Sequence, residues 1–160
     1  MVSQRFEEFI NQHTLQTVDH RSDILSEWMK NLEGLYKTIE SYLQPFIENK
    51  KIKITYQDVQ LHEDGLGDYT VQEATITLGE KSLNLKPIGT LLIGAKGRVD
   101  LTGAYGTAKL IFADFSKFPN VSTTDFQWMI PNPSRAAIGI YAPLTEEAFL
   151  EVFMEVAADG

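Results

Sequence analysis

The chain has no cysteine, which removes disulfides, thiolate metal sites and cysteine nucleophiles together. Positive charge is scarce: 14 Lys and Arg stand against 22 Asp and Glu, for a net charge of −8. Such a chain repels a polyanion on average, so neither nucleic acid nor an anionic membrane surface is expected as a partner. The longest basic cluster is Lys50-Lys51 with Lys53 beyond it. No apolar run approaches the roughly 18 residues that a membrane span needs. The segment from Met1 to Gln12, with Arg5, Glu7 and Glu8, lacks the apolar stretch of a signal peptide. A cytoplasmic setting is the expectation, in which the sequon Asn120-Val121-Ser122 goes unused. The three histidines, His13, His20 and His62, are scattered, and no Gly-x-Ser-x-Gly elbow supports a hydrolase triad. Internal repeats and low-complexity segments are also missing.

The dominant feature that is present runs from Ser22 to Lys50. Ile24, Trp28, Leu32, Leu35, Ile39, Tyr42 and Phe46 recur at spacings of four and three, which is one stripe of an α-helix. Leu25, Met29, Tyr36, Leu43 and Ile47 widen the stripe, while Lys30, Glu33, Lys37, Glu40 and Gln44 fall on the face left to water. Ser22 or Asp23 is the expected N-cap, and Pro45 is expected to kink or end the helix. Before it, Ser3 is expected to cap a short separate helix with Phe6, Phe9 and Ile10 on one edge, joined by a connection over 13–21.

From Lys51 the period changes to two. Ile52, Ile54 and Tyr56 alternate with polar residues, the pattern of a half-buried strand. Glu63 to Asp68 reads as a turn. Tyr69 to Leu78 reads as a strand whose apolar phase slips, and a bulge near Glu73 is the expected cause. Gly79-Glu80-Lys81 closes a hairpin onto Leu83 and Leu85, with Pro87 at a strand end or edge. Bends at Gly94 and Gly97 and a turn from Gly103 to Gly106 are expected next, then strands at Phe126 to Ile130 and Ala136 to Tyr141. Thr145 followed by Glu146 and Glu147 starts a helix with Phe149, Val152, Phe153 and Val156 on one stripe. The expectation is a single α+β domain over 1–160: a helical segment at 1–50, a curved, mostly antiparallel sheet of six to eight strands at 51–142, and a C-terminal helix at 144–158. A barrel-like closure around the last helix, similar in element order to pleckstrin-like domains, is one form of it.

Four clusters are candidates for chemistry. Gly94-Ala95-Lys96-Gly97 resembles the GxxG loop of KH domains, but strand-forming sequence follows it where that fold needs a helix; a β-turn or bulge is expected, with Lys96 and Arg98 able to hold a small anion. His62, Glu63, Asp64 and Asp68 crowd one turn and offer an imidazole and oxygen ligands to a divalent ion, with His62, Asp64 and Asp68 the candidate ligands. Phe112, Phe115, Phe118, Phe126 and Trp128 either line a ligand pocket or belong to the core. Glu147, Glu151, Glu155 and Asp159 share one face of the last helix, where like charges four residues apart repel and a basic partner would relieve them. No cofactor is expected. The function these features favour is non-enzymatic binding of another protein, a basic one that the chain neutralises or chaperones; self-association is a further possibility of the same surfaces. The alternatives are an apolar-ligand binder with its pocket between the long helix and the sheet, and a metal-dependent enzyme built on residues 62–68.

Overall fold

The structure, a computed structural model, describes residues 2–90, 95–114, 126–131 and 141–158. Its first element is one continuous helix, α1 (Val2–Glu48), of 47 residues and thus about 70 Å long. The expected break over 13–21 is absent, and Ser3, Ser22 and Asp23 lie inside the helix rather than capping it. The reason is local: no glycine or proline precedes Gly34, and the polar and β-branched residues between cost only fractions of a kcal/mol each in a helix already under way. Pro45 also lies inside α1. The helix ends one turn later, where Lys50 takes φ 60. There the Lys51 N–H donates to Phe46 O at 2.9 Å and the Lys50 N–H to Ile47 O at 3.0 Å, the paired bonds of a left-handed helix stop.

Among the described residues seven strands follow in a simple antiparallel meander, each bonded to the next in sequence. They are β1 (Ile52–Glu63), β2 (Gly67–Leu78), β3 (Lys81–Gly89), β4 (Ala95–Gly103), β5 (Gly106–Asp114), β6 (Phe126–Pro131) and β7 (Tyr141–Pro143). Among the described residues the sheet is open, β1 and β7 being its edges, and the barrel-like closure is not formed. Helix α2 (Glu146–Ala157) completes the α+β architecture, with Thr145 Oγ1 accepting from the Ala148 N–H at 3.2 Å as its N-cap. Of the expected last strand only Tyr141 lies in a described element; 132–140 fall outside the described residues, as do Phe115, Phe118 and Asp159.

One face of the sheet carries Ile76, Leu83, Leu85, Val99, Leu101 and Leu110, all buried, and both helices close over it with Trp28, Leu35, Ile39, Leu43, Phe149 and Val152. Removing these side chains from water is the main drive for the fold. Two close approaches fix the helices. A Cβ at Gly97 would overlap the Trp28 ring, and one at Gly103 would overlap Val156 O. At the end of α2, which has no basic residue of its own, the Tyr105 N–H donates to Val156 O at 3.0 Å and Lys81 Nζ to Ala157 O at 3.1 Å. A neighbouring strand thus supplies the cation that the helix dipole favours there.

The expected bulge near Glu73 is not present: β1 and β2 stay in register from Ile52–Leu78 to Glu63–Gly67. Instead the buried set changes from Ile52, Ala74 and Ile76 to Glu63, Tyr69 and Val71 along an unbroken ribbon. Beyond Ala74 the ribbon has left β3, and a two-stranded ribbon twists strongly enough to turn its other face inward. The same parting bears on Pro87: it lies past the last β3 residue paired with β2, so its missing N–H costs no bond on that side, while on the other side it pairs with Val99 of β4. Bulges do occur at Pro87/Gly89 and at Ala95/Gly97.

Candidate functional site

Met29, Leu32, Glu33, Tyr36, Lys37 and Glu40 form one strip along α1, at the border between its apolar stripe and its polar face. Tyr56 of β1 and Gln72 of β2 face this strip, and together these residues line a groove of about 390 Å³, a size typical of specific small-ligand sites. Leu32 and Tyr36 are buried beneath it; Met29, Glu33 and Lys37 are exposed along its mouth. The Tyr36 and Tyr56 rings lie 5.4 Å apart at 54°. Each hydroxyl is tied down: Tyr36 donates to Gln72 O at 2.6 Å, and Tyr56 donates to the Glu40 carboxylate. The rings are therefore held in place before anything binds.

Burial pushes the Tyr36 phenol well above its ordinary range, with Tyr56 and Glu73 adding to the effect. Burial does the same to Tyr56, helped by its hydrogen bond to Glu40 and by that carboxylate's charge. Both phenols stay neutral at physiological pH, so neither serves as a tyrosinate base or nucleophile. What they offer is aromatic surface, with Glu40 beside it. Glu33 is engaged by Lys37 at 2.9 Å, both side chains largely exposed, a pair of little energetic weight.

The ribbon that forms the outer wall of the groove is anchored at its far end by Glu63. This carboxylate, 8% exposed, accepts from the Thr90 N–H at 2.8 Å and Thr90 Oγ1 at 2.9 Å, and from the Tyr69 hydroxyl. Burial raises the Tyr69 phenol above its usual range, and its bond to Glu63 and that residue's charge add to this; the nearby Trp28 indole opposes it weakly, without reaching hydrogen-bond geometry among the described residues. Reading Glu63 as a turn residue misses this role. The signal was its place at the end of the alternation Val59, Leu61, Glu63.

The structure does bring His62, Asp64 and Asp68 together: His62 Nδ1 lies 2.6 Å from Asp68 Oδ1 and Nε2 3.8 Å from Asp64 Oδ1, all well exposed. No group of three or more ligands suited to a metal ion occurs among the described residues. Lys96 and Arg98 do not converge on an anion site. Lys96 is the extra residue of the β4 bulge, with Nζ 4.3 Å from the Phe126 ring centre and 3.9 Å from Glu27. Arg98 grips Asp100 through two bonds of 2.8 and 2.9 Å, which raises its already high pKa. Phe112 stacks on Phe126 at 5.9 Å and meets Trp128 at 5.4 Å, while Trp128 Nε1 donates to Asn31 O at 3.1 Å. These three rings pack on one another and on α1. Glu147, Glu151 and Glu155 are exposed on the outer face of α2 and line neither the groove nor the hollow of about 650 Å³ between the Gly79 and Tyr105 turns.

Neither a family model, nor a curated protein, nor a solved structure matches the chain.

Proposed function

We propose that this protein is a non-catalytic binding domain for a basic protein partner, which it engages through the groove between α1 and the β1–β2 ribbon. The observation that carries this reading is the pair of neutral, hydroxyl-anchored tyrosines, Tyr36 and Tyr56, with Glu40 bonded to one of them. Preset aromatic faces beside a carboxylate bind a positive charge without reorganising. The net charge of −8 supports it by drawing a cationic partner in. The outer face of α2, with Glu147, Glu151 and Glu155, is a second acidic surface for the same partner. A second reading has one observation in its favour: Leu32 and Met29 give the groove an apolar side, which suits a small apolar ligand.

The test is a titration with a lysine- and arginine-rich peptide of mixed sequence, and with an acidic peptide of the same length, at low and at about 0.15 M salt, where screening acts within ~8 Å. Binding of the basic peptide alone, weakened by salt, supports the reading. Failure of the basic peptide to bind at low salt sinks it. Glu151→Lys combined with Glu155→Lys, which leaves the groove intact, reports whether α2 contributes.

A further inference from the structure

The geometry points to an arginine side chain of the basic partner as the occupant of the groove. This inference rests on the reading just given and adds the chemical class of the anchor. Three features select a guanidinium. First, Tyr36 and Tyr56 meet at 54° with centres 5.4 Å apart, a wedge in which a planar group lies against one ring while its edge remains free. A guanidinium is planar, weakly hydrated and stacks on aromatic faces; an ammonium is a compact, strongly hydrated point charge. Second, Glu40 stands at that edge. It accepts the Tyr56 hydroxyl through Oε1, and no other bond to it occurs among the described residues, so its remaining lone pairs suit the N–H donors of a guanidinium. Third, Leu32 and Met29 give the three-methylene stem of arginine an apolar track to the mouth, so a volume of about 390 Å³ holds more than the charged tip.

Lys37 gives the site an internal competitor. It projects from the same strip as Glu33 and Glu40, one turn from each, and is held by Glu33 at 2.9 Å. While that pair persists, Glu40 is left for the ligand; when Lys37 swings to Glu40, it opposes a guest cation. A phosphate-bearing occupant is disfavoured, because Glu33 and Glu40 face the groove and Glu73 lies close enough to Tyr36 to act on its phenol.

The experiment is calorimetric titration of the full chain with three peptides of one length, carrying arginine, lysine or neutral citrulline at the same positions. Arginine is expected to bind most tightly, lysine about fivefold or more weaker, and citrulline without measurable affinity. Tyr56→Leu and Glu40→Gln, both at partly exposed positions and each checked for an unchanged circular dichroism spectrum, are expected to weaken the arginine peptide about tenfold. Lys37→Met is expected to strengthen it. Equal affinity for arginine and lysine overturns the guanidinium assignment. Arginine binding that Tyr56→Leu leaves unchanged moves the site out of the groove and overturns the inference while the basic-partner reading stands. Failure of both cationic peptides at low salt removes both. Binding of citrulline as tight as arginine shows that apolar contact, not charge, fills the groove, and this too overturns it.

Discussion

At the scale of single residues, two glycines have opposite meanings. Gly97 lies under the indole of Trp28, itself 1% exposed, and a Cβ there would overlap two ring carbons and crowd a third. The ring is enclosed by the sheet and α1, so it cannot step aside without moving the core. Gly97→Ala is expected to destabilise by about 1–3 kcal/mol through overpacking, read as a fall in the urea midpoint with the slope unchanged. Gly34 sits on the exposed side of α1 with nothing within 4 Å of an added Cβ. Gly34→Ala only removes backbone freedom from the unfolded chain and is expected to stabilise by about 0.5–1 kcal/mol. If both variants shift the midpoint in the same direction, the packing of Trp28 on β4 is misassigned. The Glu63 anchor makes the same point for a charged residue: its burial is tolerated because two Thr90 donors and the Tyr69 hydroxyl satisfy it.

At the scale of elements, the legible parts are those whose signal is local. The stripe from Trp28 to Leu43 is buried almost throughout, Thr145 caps α2, and the hairpin turns fall at glycines with positive φ at 65, 67 and 79. The misread parts have either no local signal or a misleading one. Residues 13–21 look like a connection because they are polar, yet nothing in them breaks a helix. Pro45 is the evident place for α1 to stop, whereas the chain turns at Lys50, a residue type that gives no warning of a left-handed conformation. That stop yields a prediction. A non-glycine residue at φ 60 is held there against a preference of about 1 kcal/mol, so Lys50→Gly is expected to raise stability by up to that amount, as a rise of roughly 2–4 °C in Tm for a chain of this size. An unchanged or lower Tm means that Lys50 makes compensating contacts. The groove was illegible for a different reason. The periodicity puts Tyr36 on the flank of the stripe and Tyr56 on a strand, but the bond from Tyr36 to Gln72 joins residues 36 positions apart. Only the twist of the β1–β2 ribbon, invisible in either strand alone, brings them together.

At the scale of the whole molecule, the three tied tyrosines make stability depend on pH in the alkaline range. Tyr36, Tyr56 and Tyr69 all have folded-state pKa values raised above the ordinary 10.0, with burial the largest cause in each. In the unfolded chain these phenols ionise near pH 10. Above that pH the unfolded state binds fewer protons than the folded one, so stability falls as pH rises. The contribution of the neutral phenols is complete below about pH 10 and is lost progressively above it. Each buried phenol that stays protonated removes about 1.4 kcal/mol per pH unit in that window. Tyr36, 7% exposed, carries the most weight, whereas Tyr69 and Tyr56, whose hydroxyls lie nearer solvent, count for less because water screens them. A loss of about 2–3 kcal/mol per pH unit is expected beyond pH 10, a substantial share of a typical net stability of about 5–15 kcal/mol. Urea unfolding at pH 8, 10 and 11, with phenolate absorbance followed in parallel, measures this directly. Tyr36→Phe lacks the bond to Gln72 and is less stable at pH 8, but its alkaline limb is shallower by one proton. A limb as steep as that of the parent would show that Tyr36 ionises freely in the folded state, and the groove would then not hold it as a neutral ring.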